Sequence, residues 1–131
     1  MNAGAPAAAP QYLPGRHAID GYGMGGFRFG GMSHRGSLLA LPSGIRAWPV
    51  TEAADISLAT LAPLFDEPAG DIGLCLIGTG TSQVFLPPAL ARDLRARGLV
   101  FEVMTTGAAA RTYNVLFAEG RQVSACLIAV A

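Results

Sequence analysis

IGLCLIGTG, residues 72–80, and LVFEVMTTG, residues 99–107, decide how this chain folds. Each is an apolar run that ends in a bend of glycine and threonine. Ile72–Ile77 has no charged side chain, the pattern of a strand buried on both faces in a parallel sheet. Leu99–Met104 is the next strand. Between them, Pro87–Arg97 opens on prolines, places Leu90 and Leu94 on one side and closes with Arg95, Arg97 and Gly98. That order suits a helix, whose dipole and capping needs favour proline first and cations with glycine last. Beyond the second bend, Ala108–Ala118 reads as a helix with Ala109, Tyr113, Leu116 and Phe117 inward and Gly120 as its stop. Gln122–Val130 is a final apolar strand. Strand, helix, strand, helix, strand defines an α/β unit, and its first crossover is expected to be parallel and right-handed.

Upstream, Ile19–Gly36 is glycine-rich and punctuated by aromatics. Gly30-Gly31 accepts the positive φ angles of a two-residue hairpin turn. The register that follows pairs Phe29 with Met32 and Phe27 with His34 on one face, and Arg28 with Ser33 on the other. Ser37–Leu41 is an apolar run ended by the turn Pro42-Ser43-Gly44, and Ile45–Val50 resumes as a strand with Pro49 near its end or on an edge. Leu58, Leu61, Leu64 and Phe65 recur at helical spacing, with Asp55 or Ser57 as caps and Pro63 keeping the helix short or kinked. Residues 1–18, small and proline-broken, read as a flexible tail, leaving 19–131 as one domain.

Composition narrows the function. The 131 residues carry nine cationic and nine acidic side chains, every cation an arginine. A net charge of zero with only 14% charged residues lacks the basic excess a nucleic-acid binder needs. It suits a protein that buries much of its surface against a protein partner or in a homo-oligomer. Without lysine, Schiff-base, pyridoxal and phosphate-loop chemistries are excluded. The N-terminus lacks a basic region before an apolar one, so no secretory signal is expected, and no apolar segment is long enough to span a bilayer. Cys75 and Cys126, in apolar runs, read as free core thiols of a reducing, cytoplasmic setting.

Catalytic patterns are sparse. Gly21-Tyr22-Gly23-Met24-Gly25-Gly26 spells GxGxxG, yet a hairpin follows it where a dinucleotide site needs a helix. A kinase-type loop would need a strand lysine and far more chain, so turn and bulge glycines are the better account. His17, His34, Cys75 and Cys126 are too scattered for a zinc site, and no serine sits in a nucleophile elbow. No metal, cofactor or catalytic set is therefore expected. One ligand-binding constellation stands out. If the strands ending at Ile77 and Met104 are parallel neighbours, Gly78-Thr79-Gly80 and Thr105-Thr106-Gly107 emerge together at the carboxyl edge of the sheet, where open α/β sheets bind ligands. Thr106 as N-cap would leave amides free for an anion, and Arg111 with Asn114, three residues apart on one helix face, could clasp a carboxylate or phosphate. Alternatively, Arg111 pairs with an internal acid and the threonines only cap.

Ile19-Asp20-Gly21-Tyr22-Gly23, Gly26-Phe27, Trp48-Pro49-Val50, Leu76–Gly80 and above all Glu102–Leu116 (EVMTTGAAARTYNVL) together resemble the Mth-domain family. It includes small bacterial and archaeal proteins, an adipogenesis-associated animal protein and a mitochondrial assembly factor of respiratory complex I. The resemblance runs from about Ile19 to Val130. It implies a three-layer α/β fold with a mixed central sheet, an N-terminal hairpin and flanking helices, the last strand antiparallel to its neighbours. It implies no cofactor, and action through protein partners. Ala110 stands where some bacterial relatives carry cysteine, so a redox role resting on that cysteine is not expected here. The function expected is that of an interaction or assembly factor, with a small-anion or metabolite site at Thr106 and Arg111 as the alternative.

Overall fold

The computed structural model describes residues 12–131. A six-stranded sheet holds β1 (Tyr12–Pro14), β5 (Leu38–Leu41), β6 (Gly44–Ala47), β7 (Leu74–Gly78), β8 (Val100–Met104) and β9 (Val123–Leu127). A three-stranded sheet holds β2 (Gly21–Gly23), β3 (Gly26–Phe29) and β4 (Met32–Arg35) in that order. The helices are α1 (Ala62–Phe65), α2 (Pro88–Ala96) and α3 (Thr106–Ala118). In the large sheet the order is β1-β6-β5-β9-β7-β8.

Alternating side chains of the central strands divide the core in two. Leu39, Cys75, Ile77 and Cys126 pack with Trp48, Leu64 and the α2 residue Leu94 on one face. Leu38, Leu76, Ala125 and Leu127 pack with Ala109 and Tyr113 of α3, and with Phe27 and Phe29 of the small sheet, on the other. Three layers result. A strand with both neighbours and both faces covered favours apolar side chains, which accounts for the uninterrupted run at residues 74–77.

The hairpin forms in the expected register, Phe27 opposite His34 and Phe29 opposite Met32, with Gly30 and Gly31 at φ 56° and 76°. β7 and β8 are parallel, as the crossover through α2 requires. Three expectations are corrected. The last strand is not antiparallel to both neighbours: β9 runs parallel to β7 and antiparallel to β5 only. The return through α3 points β9 the same way as β7, and the β5–β6 hairpin supplies the opposite sense. Part of the assigned tail is strand, since Tyr12–Pro14 pairs with β6 and the Tyr12 hydroxyl donates to Ser43 O at 2.8 Å; residues 1–11 of that tail lie outside the described residues. The helix expected around Leu58–Phe65 shrinks to the four residues of α1, preceded by a 3-10 turn at Ala53–Asp55. Pro63 is accepted only in a first turn, so no longer helix can run through it.

Candidate functional site

β7 and β8 place Gly78 opposite Met104, so the two glycine-threonine bends do meet. They also interlock. Thr79 N–H donates to Met104 O and Thr106 N–H to Gly80 O, each at 2.9 Å. The Thr79 hydroxyl donates to Ser82 O at 2.7 Å and accepts from Val84 N–H at 3.0 Å. The Thr106 hydroxyl, wholly buried, donates to Ile128 O at 2.7 Å and accepts from Gly80 N–H at 2.9 Å. Gly78 leaves the space that this crossing needs, because a Cβ there would lie 2.8 Å from Thr106 Cα.

The cap expected of Thr106 belongs to Thr105. Thr105 holds the extended backbone of an N-cap (φ −65°, ψ 156°) and its hydroxyl accepts from Ala108 N–H at 3.3 Å. Thr106 is the first helical residue and turns its hydroxyl beneath the helix into the sheet. Over Gly107 lies Tyr22, whose hydroxyl is 2.7 Å from where a Cβ would stand.

Arg111 and Asn114 share a face of α3 but part company: Arg111 Nη1 comes to 3.2 Å from where a Cβ on Gly107 would stand, at the second bend, while Asn114 turns to the segment before β2. Asn114 clamps the backbone of Ile19: Oδ1 accepts the Ile19 N–H at 2.8 Å and Nδ2 donates to its carbonyl at 2.7 Å. Arg111 Nη1 donates to the Tyr22 hydroxyl at 2.8 Å. These contacts tether β2 and the segment leading into it to α3. Within the fold Arg111's partner is a phenol and not an internal acid.

The histidines, the cysteines and Tyr113 are engaged within the fold. His17 Nε2 lies 2.8 Å from Pro14 O, and the buried His34 has Nε2 3.0 Å from Ser37 O. Cys75 and Cys126 approach to 3.7 Å between sulfurs. Contact with Cys75 and burial together push the Cys126 thiol well above the usual range. Burial pushes the Tyr113 phenol up to about 12, against a smaller opposing pull from Arg16. Among the described residues no three His, Cys, Asp or Glu side chains gather as metal ligands.

An open groove of about 690 Å³ lies elsewhere, along the small sheet. Arg28, Ser33 and Arg35 are exposed on β3 and β4 while the neighbouring Phe27, Phe29 and His34 face the core. Gly21 and Gly25 leave the floor bare: Arg28 Cδ and Arg35 Nη1 each come to 3.9 Å from where a Cβ on those glycines would stand. Tyr22 and Met24 complete the lining at 43% and 92% exposure. Arg28's opposition to Ser33 was legible from the hairpin pattern, but its convergence with Arg35 was not, since it depends on the bare glycine strand alongside.

A mixed sheet between two layers, with a small antiparallel sheet tethered to α3, defines a three-layer α/β domain of the Mth938-like class. A solution structure described as a Mth938-like domain, from Bordetella pertussis, superposes at a TM-score of 0.69, with 31% identity over 86% of this chain and 85% of that one. The chain belongs to the family described as protein of unknown function (DUF498/DUF598), whose model matches residues 19–128. A crystal structure described as an outer membrane protein from Bartonella henselae is 44% identical and superposes at a TM-score of 0.84, covering 90% of this chain and 98% of that one. NADH dehydrogenase [ubiquinone] 1 alpha subcomplex assembly factor 3 of Xenopus tropicalis is 33% identical over 110 residues, which are 84% of this chain and 60% of that protein. The chain thus spans about three-fifths of that factor's length. Among the described residues no helix is long and apolar enough to cross a membrane.

Proposed function

We propose that this chain is a protein-interaction domain that acts in the assembly of a larger complex, with the respiratory NADH dehydrogenase as the complex to test first. The observation that carries this reading is the 33% identity, across 110 residues, with a protein named as an assembly factor of that enzyme. The geometry supports it: the hydroxyls where the two bends meet are engaged within the fold, whereas the polar groups left over lie on an open surface. On this reading the protein works without metal or cofactor, in the cytoplasm, and reaches the membrane through its partner. A reducing compartment suits its two free thiols. A small anion held by the helix N-terminus at Thr106 with Arg111 is the competing reading; Arg111 lies beside Gly107 there, whereas the Thr106 hydroxyl and Asn114 are engaged within the fold.

Co-purification with tagged chain from membrane extracts tests the assembly reading. Subunits or partial assemblies of the NADH dehydrogenase are expected to be enriched over an untagged control. A preparation with no enriched respiratory subunit would remove its basis.

A further inference from the structure

We propose that the groove on the small sheet is where the partner docks, and that the partner presents an extended, acidic segment whose alternate carboxylates meet Arg28 and Arg35. This rests on the assembly reading and adds the surface and the chemistry.

The first support is where the arginines go. Arg16 donates to the carbonyls of Val123 and Asp71. Arg46, Arg95 and Arg97 lie over the rings of Tyr12, Phe101 and Phe65 at 5.6, 5.0 and 5.4 Å. Arg111 is bonded to Tyr22, and Arg121 forms with Glu119 the one ion pair among the described residues. Arg28, Arg35 and Arg92 remain without an internal partner among those residues. Two of these three share one groove, and no acidic side chain lines it.

Spacing supplies the second support. Arg28 pairs with Ser33 and Gly26 with Arg35, so the two arginines are diagonal neighbours on one face of the hairpin. Diagonal positions stand about 7–8 Å apart. Alternate residues of an extended chain are separated by nearly the same distance, about 6.5–7 Å. A strand-like segment with acids at every second position therefore presents one carboxylate to each guanidinium, whose planar fork suits bidentate binding.

The third support is Met24. In the two-residue turn between β2 and β3 it holds φ 53°, which a side chain with a Cβ adopts at a cost, and it is almost wholly exposed. It offers apolar contact at the rim of the groove that Arg28 and Arg35 line. A peptide with an apolar residue among its acids matches that mixture. Nucleic acid matches it less well, because two cations on a neutral domain release few counterions.

The probe is a fluorescein-labelled peptide, Asp-Glu-Leu-Asp-Glu-Phe-Asp-Glu, titrated at low salt and followed by anisotropy. Saturable binding is expected, absent for the Asn/Gln version of the peptide and weakened by added salt. Arg28→Glu and Arg35→Glu should each weaken it about tenfold or more, with unchanged melting temperatures, while Arg92→Glu stays within about twofold. Equal loss in all three variants, or none, overturns the proposal. So does tighter binding of a single-stranded oligonucleotide through the same two arginines, or full competition by millimolar inorganic phosphate. In the co-purification, the Arg28→Glu/Arg35→Glu double variant should lose the enriched partner. Retention of that partner sinks the groove and leaves the assembly reading standing; absence of a partner with the unaltered chain sinks the assembly reading itself.

Discussion

Thr106→Val tests whether the junction of the two bends is structural. Valine matches threonine in shape and removes only the hydroxyl. Two buried backbone groups then lose their partners, the Gly80 N–H and the Ile128 carbonyl. A buried polar group left unpaired costs about 1–3 kcal/mol, so the pair should cost at least about 2 kcal/mol. Thr106→Ser is the control: it keeps both bonds and loses one methyl, about 1 kcal/mol. At this chain length each kcal/mol corresponds to roughly 3–5 °C in melting temperature. Valine should thus lower the midpoint by at least about 6 °C and serine by only about 3–5 °C. Thermal melts followed by circular dichroism read the difference, and urea titrations should show a lower midpoint at unchanged slope. A valine variant as stable as the unaltered protein, or more stable than the serine variant, would refute the assignment of Thr106 as a pin.

Asn114→Ala should cost about 2–3 kcal/mol by unpairing both backbone groups of the buried Ile19, and should speed hydrogen exchange at the Ile19 amide; unchanged exchange there would contradict the tether. Tyr113 ionises near 10 when unfolded and at about 12 when folded, so its contribution is whole below pH 10 and is lost as the pH rises through 12. The loss is of order 2–3 kcal/mol, and Tyr113→Phe should flatten the alkaline fall in stability over that range. Cys75 and Cys126 should resist an aromatic disulfide reagent at pH 8 until the protein unfolds, both being buried and the Cys126 thiol held well above its usual range. Rapid stoichiometric labelling of the native protein would contradict that burial.

Much of the architecture was readable because local chemistry and tertiary demand coincide. Gly30-Gly31 is a tight turn in any context, and it carries the register of Phe27 and His34 with it. The apolar run before Gly78 could only be a doubly covered strand, and its pairing with β8 brought the two bends together. Legibility failed where chemically equal residues compete for distant partners. Thr105 and Thr106 are both competent caps. What separates them is that one hydroxyl meets Ile128 O and Gly80 N–H, 22 and 26 residues away. Asn114 was read through its neighbour Arg111, but its partner Ile19 is 95 residues distant. Tyr12–Pro14 looked like tail because three residues bury little by themselves, and only the exposed edge of β6 gives them a place. The free arginines could not be told from the engaged ones before the rings and carbonyls that hold the others were placed.

Deleting the gene and separating the membrane complexes on a native gel tests the central claim most directly. Partial assemblies of the NADH dehydrogenase should accumulate at the expense of the mature enzyme. Re-expression of the unaltered chain should restore it, and the Arg28→Glu/Arg35→Glu chain should not. Mature enzyme at its ordinary level in the deletion strain would contradict the account.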